Sequence, residues 1–267
     1  MALLAQWRAD QEAYEDTGGT DAVEDADAVA SWGVYAGILS ASIATQSTAG
    51  RRPVYTANDG GYPSLTFSNT NKSSLLLTHS SDWLVSAVSW LAVVKPTKTT
   101  AVPSGTGNGT VFGKGSSWGN FGCHIAQLIT GISPPANILW WHTGYSSRIA
   151  TWTMPDNTAS WQVIWGMADG TCIKGGVNRQ SAVRTLHSQT IALGTNSVAI
   201  GADADNTLYS MAGAMREIAF WDTALSELDM ATEVDAAMTR WGISNSVSPP
   251  SSGGGIPIAR GMHGGMR

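Results

Sequence analysis

The stretch MREIAFWDTALSELDMATEVDAAMTRWGI, residues 215–243, contains the strongest structural signals in the chain. Its first part, residues 215–222, has the alternation of a half-buried β-strand. Ile218 and Phe220 share one face with Arg216 in this reading, and Glu217 points the other way. We therefore predict a strand here, with one face toward a core.

The second part of the stretch predicts an amphipathic helix. Ser226 is a good N-cap, Asp229 stands at the third helical position, and Gly242 supplies a left-handed C-terminal stop. Apolar residues recur at helical spacing, which predicts a helix of about 15 residues packed on the sheet by one face. The apolar positions are Leu228, Ala231, Val234, Met238 and Trp241.

Upstream, after residue 30, short apolar alternations are broken roughly every ten residues by Gly, Pro, Asn or Asp. The longest apolar run, residues 83–94, predicts a central strand that ends at Pro96. Such a rhythm is typical of a β-sandwich or jelly roll. Further strands are predicted at residues 110–113, 138–142, 149–154, 161–166, 182–187 and 197–201.

Composition narrows the possible functions. The chain has 267 residues, of which 43% are hydrophobic and 13% charged, with 15 Lys and Arg against 20 Asp and Glu. So few basic residues exclude an electrostatic nucleic-acid binder, and the apolar content excludes a disordered chain. The longest apolar run is too short to cross a bilayer, and residues 1–8 lack the regions of a secretory signal. We expect neither a membrane span nor export by a signal peptide.

The strand and helix of residues 215–243 resemble the closing segment of concanavalin A-like, laminin G-like jelly rolls. The opening is similar to that family too, although Gly33 follows Trp32 where the family usually has Asp. The resemblance extends over residues 1–243 and implies a two-sheet jelly roll, often glycan-binding and sometimes purely structural. Its opening segments are WRAD at 7–10, VASW at 29–32, ATQ at 44–46, RP at 52–53 and LTF at 65–67.

We therefore expect an all-β fold: a two-sheet antiparallel jelly-roll sandwich, one C-terminal amphipathic helix packed on it, and an extended tail. The domain spans residues 1–245, a Ser/Pro/Gly linker spans 246–255, and a docking tail spans 256–267. The tail resembles the Arg/Gly/Met-rich C-termini of bacteriophage structural proteins. It is expected to dock on other virion proteins through Ile256, Ile258, Met262 and Met266, with Arg260 and Arg267 meeting acidic groups.

The sequence contains no convincing catalytic or metal-binding pattern. Glycosidases with this fold carry carboxylates on one face of a strand. The nearest match, at Glu227, Asp229 and Glu233, has the wrong spacing and falls in the predicted helix. The five histidines show no paired metal spacing, and residues 201–206 fit a polar turn better than a Ca²⁺ loop. We expect a protein that is not an enzyme and has no metal or cofactor.

The 12 tryptophans are the richest chemical resource of the chain. Trp140 and Trp141 are adjacent, so on a strand one of them faces away from the core. An outward tryptophan edged by polar groups suits a sugar, a subunit interface or the second face of a covered sheet. The candidate glycan site comprises Trp118, Asn120, Trp140, His142 and Tyr145. The tryptophans assigned to the core are Trp7, Trp32, Trp83, Trp90, Trp221 and Trp241.

These features lead to one expected function and two alternatives. The first is a non-enzymatic virion structural protein, a head decoration, spike or tail attachment protein that displays a lectin-like domain toward host surface glycans. It would assemble in the host cytoplasm and form a homo-oligomer in the particle. The second is a carbohydrate-binding or depolymerising protein acting on polysaccharide. The third is a domain that only cements neighbouring subunits.

Overall fold

A computed structural model of the chain describes residues 2–39, 42–97, 108–114, 121–127, 137–142, 149–154, 160–179, 183–186, 195–202 and 210–244. Within residues 108–109, 121–127, 137–142, 149–154 and 183–186 the backbone alone is described. The predicted linker and docking tail, residues 246–267, lie outside the described residues.

Seventeen strands and one α-helix make up the described part of the chain. In order they are β1 Leu3–Arg8, β2 Ala13–Tyr14, β3 Ser31–Gly33, β4 Ile43–Thr45, β5 Val54–Thr56, β6 Ser64–Phe67, β7 Leu75–Leu77, β8 Val88–Pro96, β9 Asn108–Lys114, β10 Phe121–Gln127, β11 Asn137–His142, β12 Ile149–Met154, β13 Gln162–Ala168, β14 Cys172–Val177, β15 Val183–Leu186, β16 Val198–Ile200, β17 Gly213–Trp221 and α1 Glu227–Arg240.

The strands form two antiparallel sheets. Sheet A has the order β15-β14-β13-β8-β17-β6-β5, with β1 also paired to β17. Sheet B has the order β12-β11-β10-β9-β16-β7-β4-β3-β2. The expected all-β, two-sheet antiparallel sandwich with one helix after the strands is confirmed.

The core between the sheets is built on interlocking aromatic rings. Phe112 of sheet B meets Trp90 and Phe220 of sheet A edge to face, with ring centroids 5.0 and 4.8 Å apart. All six tryptophans assigned to the core are buried, none of them more than 6% exposed. Burying rings of this size is worth about 2–3 kcal/mol each or more, which explains how a chain with few leucines closes a sandwich of this size.

Helix α1 packs on the outer face of sheet A and begins and ends where the sequence predicts. The Ser226 hydroxyl accepts a hydrogen bond from the Asp229 amide, and Gly242 adopts φ +61°. The predicted apolar stripe is wrong at two positions, since Leu228 is 77% exposed and Ala231 is also exposed. At ~100° per residue, Leu228 lies about 120° around the helix from the buried Val234. The buried face is formed by Met230, Val234, Ala237 and Met238.

Strand β17 departs from simple alternation, and every one of its residues is buried. A β-bulge lies between Met215 and Glu217, opposite Val94 and Val93 of β8. The extra residue, Arg216, therefore lies on the helix-covered face together with Glu217, and the prediction that it shares a face with Ile218 is wrong. The strand is not half-buried either, because the helix covers the face that the sequence assigned to solvent.

The predicted strand at residues 83–94 begins later than expected. Ser81–Trp83 forms a 3-10 turn whose N-cap, Ser80, accepts a hydrogen bond from the Asp82 amide. This turn directs Trp83 into the core, where its ring lies 5.2 Å from that of Phe220. Pairing starts at Val88 and ends at Pro96, as the proline predicts. Within the described ranges, no helix is long and apolar enough to span a bilayer.

Candidate functional site

Strand β11 carries two of the predicted glycan-site residues. Trp140 pairs with His124 of β10 and Thr151 of β12, and His142 pairs with Gly122 and Ile149. Residues two apart on a strand lie on the same face. The backbone therefore places Trp140 and His142 on one face of sheet B. The other predicted members, Trp118, Asn120 and Tyr145, lie outside the described residues.

The register also distinguishes the faces of sheet B. Trp141 pairs with Cys123, which pairs with Phe112, a residue of the core between the sheets. Paired residues of neighbouring strands share a face. Trp141 is thus in a row of the inner face, and Trp140 belongs to the outer face. This assignment agrees with the expectation that one of the two tryptophans faces away from the core.

The row beside His142 on the outer face contains very small residues. Gly122 pairs with His142 on one side and with Gly113 of β9 on the other, and Gly113 pairs with Ala199 of β16. Gly113 and Ala199 are buried. This row is therefore not open to solvent at Gly113 and Ala199.

A second cluster, which the sequence did not predict, lies on the outer face of sheet A at the end of the helix. Its centre is the Arg216 guanidinium, which is 2% exposed. The guanidinium carbon lies 3.9 Å from the ring centroid of Trp161, 4.9 Å from that of Tyr62 and 5.9 Å from that of Trp241. Arg216, Trp161, Tyr62 and Trp241 form what we call the arginine cluster. Three aromatic rings around one cation are a strong cation–π arrangement.

Hydrogen bonds hold Arg216 in the arginine cluster. Its Nη1 donates to the carbonyl oxygen of Trp241 at 3.2 Å, and its Nη2 donates to the carbonyl oxygen of Asp59. Among the described residues no acceptor lies within reach of its Nε. Burial lowers the pKa of Arg216, and the charges of Asp59 and Tyr62 act in the opposite direction. The side chain links the end of helix α1 to the turn after β5.

Glu217 is a buried carboxylate that lies beside the arginine cluster. It is 1% exposed and accepts hydrogen bonds from Arg240 at 2.8 and 2.6 Å, from Gln6 at 2.6 Å and from the indole of Trp241. All four acceptor positions of the carboxylate are thus used. Glu217 thus joins β1, β17 and the end of helix α1.

The carboxylates closest to a glycosidase pattern are also engaged structurally. They lie in helix α1, as predicted. Glu227 pairs with Lys174 of β14 at 2.6 Å, and Asp229 accepts a hydrogen bond from the Ser226 hydroxyl at 2.7 Å. Desolvation raises the pKa of Glu233, which is half-buried farther along the helix. In the described part of the chain no group of three or more His, Cys, Asp or Glu side chains is arranged to hold a metal.

Known structures show the same fold in carbohydrate-binding proteins. Domain 4 of AbnA, a GH43 extracellular arabinanase from Geobacillus stearothermophilus, was solved in complex with arabinotriose. It is 18% identical to this chain and covers 87% of it and 98% of that domain, with a TM-score of 0.53. The binding domain of botulinum neurotoxin DC, solved in complex with SialylT, is 8% identical, covers 88% of this chain and 51% of its own, and has a TM-score of 0.51.

A third structure is the enzymatically active domain of tailspike protein 2 from bacteriophage CBA120. It is 15% identical, covers 74% of this chain and 30% of its own, and has a TM-score of 0.46. No protein-family model matches the chain. No curated protein matches it in sequence. The structural likeness therefore establishes an all-β sandwich fold.

Proposed function

We propose that this chain is a carbohydrate-binding domain and not an enzyme. The observation that carries the proposal is the likeness to domain 4 of the arabinanase, which extends over 98% of that domain and includes nearly the whole sandwich here. That domain was solved with arabinotriose, and the neurotoxin binding domain was solved with SialylT. These two domains are examples of a similar architecture bound to a saccharide. The resemblance of the sequence to concanavalin A-like domains also favours glycan binding.

The binding site in this proposal lies on the outer face of sheet B, at Trp140 and His142. The strand register supports it, because it puts both residues on the face away from the core. A sugar ring would stack its C–H face on the indole of Trp140. Trp118, Asn120 and Tyr145 complete the site in the sequence-based hypothesis.

The absence of enzymatic activity is part of the proposal and is supported by how the carboxylates are used. Glu217 is saturated by Arg240, Gln6 and Trp241, and Glu227 is paired with Lys174. A glycosidase needs one carboxylic acid and one carboxylate, both facing the scissile bond. Carboxylates that are already committed to the helix and the sheet do not meet that need.

Binding of oligosaccharides by the full chain tests this function. We expect retention on an array of neutral and acidic glycans that includes arabinotriose, with no release of reducing ends from the bound polysaccharides. Trp140→Ala should abolish or strongly weaken binding at this site, whereas Trp165→Phe, a change in a buried indole of sheet A, should not. Lack of any retained glycan contradicts the proposal. Release of sugars would favour the depolymerising alternative.

We further propose that the domain is displayed on a bacteriophage-like virion, as a head decoration, spike or tail attachment protein. The composition of residues 246–267 favours this: a Ser/Pro/Gly linker is followed by four large apolar residues and two arginines. In the proposal this tail binds other virion proteins during assembly in the host cytoplasm, the particle holds several copies, and the sandwich contacts host polysaccharide.

Truncation tests the role of the tail. A chain without residues 246–267 should keep the unfolding midpoint of the full chain but be missing from purified particles. The same number of residues exchanged for a Gly/Ser sequence is the matched control for length, and it should also be missing. Incorporation of the truncated chain at the normal level overturns the anchoring role and leaves the glycan-binding proposal untouched.

A further inference from the structure

Trp161 differs from the other described tryptophans. The structure describes the side chains of eight of them, and all except Trp161 are at most 6% exposed. Trp161 is only partly buried, at the edge of the cluster under helix α1, and Tyr62 is a second partly buried aromatic residue at the same edge. A pair of half-exposed rings beside polar groups is the composition of a ligand-binding surface.

The rings of Trp161 and Tyr62 pack on a buried cation. The buried Arg216 guanidinium lies 3.9 Å from the centroid of Trp161 and 4.9 Å from that of Tyr62. Its own position is fixed by the carbonyl oxygens of Asp59 and Trp241. Rings that are already immobilised lose little conformational entropy when they bind a ligand. The arginine cluster thus pre-organises the exposed parts of Trp161 and Tyr62.

A partly exposed ion pair lies beside the Trp161 ring. Lys95 Nζ lies 5.2 Å from the ring centroid of Trp161 and 2.5 Å from both carboxylate oxygens of Asp59. Both side chains are partly exposed, at 28% for Lys95 and 22% for Asp59. The adjoining turn leaves open space at Gly61, because a Cβ added to this residue would have no atom within 4 Å. A donor and an acceptor of hydrogen bonds therefore stand side by side at an open edge of an aromatic surface.

We propose that Trp161, Tyr62 and the Lys95–Asp59 pair form a second carbohydrate subsite, which takes one neutral sugar ring on the outer face of sheet A. This inference rests on the proposed carbohydrate-binding function. The indole and phenol receive the C–H face of the sugar, Asp59 accepts from one hydroxyl, and Lys95 donates to its neighbour. A neutral sugar fits better than an acidic one because the carboxylate of an acidic sugar would meet that of Asp59.

The test measures binding of arabinotriose and of α2,3-sialyllactose to the full chain by calorimetry, together with the neutral glycans that the array retains. Tyr62→Ala and Asp59→Asn are the main variants, since asparagine keeps the backbone carbonyl that Arg216 needs. In the Trp140→Ala background, where the site on sheet B is removed, we expect Tyr62→Ala to weaken the remaining binding of a neutral glycan about tenfold and Asp59→Asn to weaken it about threefold. Trp161→Phe, which keeps a ring for Arg216, should weaken it by an intermediate amount.

Tyr35→Ala is the matched control. Tyr35 is also a half-exposed tyrosine beside an arginine, with the Arg8 guanidinium carbon 4.6 Å from its ring, and it lies outside the subsite. Its removal should leave affinity within twofold, and all variants should keep the unfolding midpoint within a few degrees.

Each outcome is decisive. Neutral-glycan binding that is weakened by Trp140→Ala but unchanged in Tyr62→Ala and Asp59→Asn overturns the subsite and leaves the proposed function standing. A wild-type chain that binds no neutral glycan overturns the subsite, and one that binds no glycan at all overturns both proposals. A preference for sialyllactose that depends on Tyr62 overturns the neutral specificity.

Discussion

Arg216 and Glu217 are neighbours in the chain, and both bind the same residue, Trp241. Arg216 donates to its carbonyl oxygen, and Glu217 accepts from its indole nitrogen. This is possible because the β-bulge puts two successive side chains on the helix-covered face of sheet A. The pair thereby attaches the last turn of helix α1 to the central strand.

Replacing Glu217 by alanine should show how much this attachment of helix α1 to β17 contributes to the free energy of unfolding. In Glu217→Ala, the indole of Trp241 and the amide of Gln6 lose their acceptor, and Arg240 loses its partner. Breaking a buried ion pair costs several kcal/mol, but Arg240 is partly exposed, so we expect a loss of about 2–3 kcal/mol in the free energy of unfolding. Urea denaturation measures it.

The matched control for that experiment is Glu227→Ala. Glu227 lies in helix α1 and, like Glu217, pairs with a cation, Lys174, but its side chain is 63% exposed. Exposed pairs contribute little, so its loss should change the free energy of unfolding by less than about 1 kcal/mol. Equal effects of the two substitutions would show that burial of Glu217 is unimportant.

A pH titration should show how the Asp16 carboxylate stabilises the turn that follows β2. The Asp16 carboxylate accepts hydrogen bonds from the amides of Asp21, Thr20 and Gly18 and from the Thr20 hydroxyl. These bonds, that from Asp21 first, lower the pKa of Asp16 from 3.8 to about 2. Because the folded pKa is depressed, the turn is stabilised above about pH 4 and loses that stabilisation as the pH falls toward 2.

Carboxyl carbon shifts in NMR spectra measure this pKa directly. We expect the Asp16 signal to titrate near pH 2 and the Thr20 amide to exchange faster over the same interval. Asp16→Asn should remove that step and leave the rest of the acid titration in place. A midpoint near the ordinary value of 3.8 would mean that these hydrogen bonds do not persist in solution.

Close packing between strands should make Gly201 irreplaceable. Its φ is +79°, and a Cβ there would lie 2.2 Å from a ring carbon of Phe67. Strain in the left-handed region and overpacking add, so Gly201→Ala should lower the free energy of unfolding by about 2–4 kcal/mol. Gly50 is the control, because a Cβ at that position meets nothing within 4 Å. Gly50→Ala should be neutral or stabilising by up to about 1 kcal/mol.

The sequence predicted the structure well where residues close together in the chain determine it. The boundaries of helix α1 follow from Ser226 and Gly242, and the six tryptophans assigned to the core from periodic or family-matching positions are buried. The bulge at Arg216 was not predictable, since alternation assumes one residue per position and the extra residue is specified by the packing of helix α1. Leu228 was predicted on the buried face because it is apolar, but it lies about 120° around the helix from the buried Val234.

The candidate site was predicted less completely. The strand register puts Trp140 and His142 at positions of the outer face of sheet B, and their role in a glycan site stays a prediction. Trp161, however, gave no sign of its setting, because Arg216 and Tyr62 are far from it in the chain and meet it only through sheet A. A run of tryptophans in a Gly/Ser-rich region indicates a surface, but it does not reveal which ring stays exposed.

The N-cap of helix α1 offers a test of how far local signals stabilise the whole fold. The Ser226 hydroxyl accepts from the Asp229 amide at 3.0 Å and donates to its carboxylate at 2.7 Å. Ser226→Ala leaves that amide without its partner at the end of the helix and should cost about 1 kcal/mol of unfolding free energy. Ser226→Thr keeps both the acceptor and the donor and should lie within about 0.5 kcal/mol of wild type. Thermal and urea unfolding of the three chains would contradict this account if alanine and threonine had the same effect, because capping would then contribute nothing to the packing of the helix on sheet A.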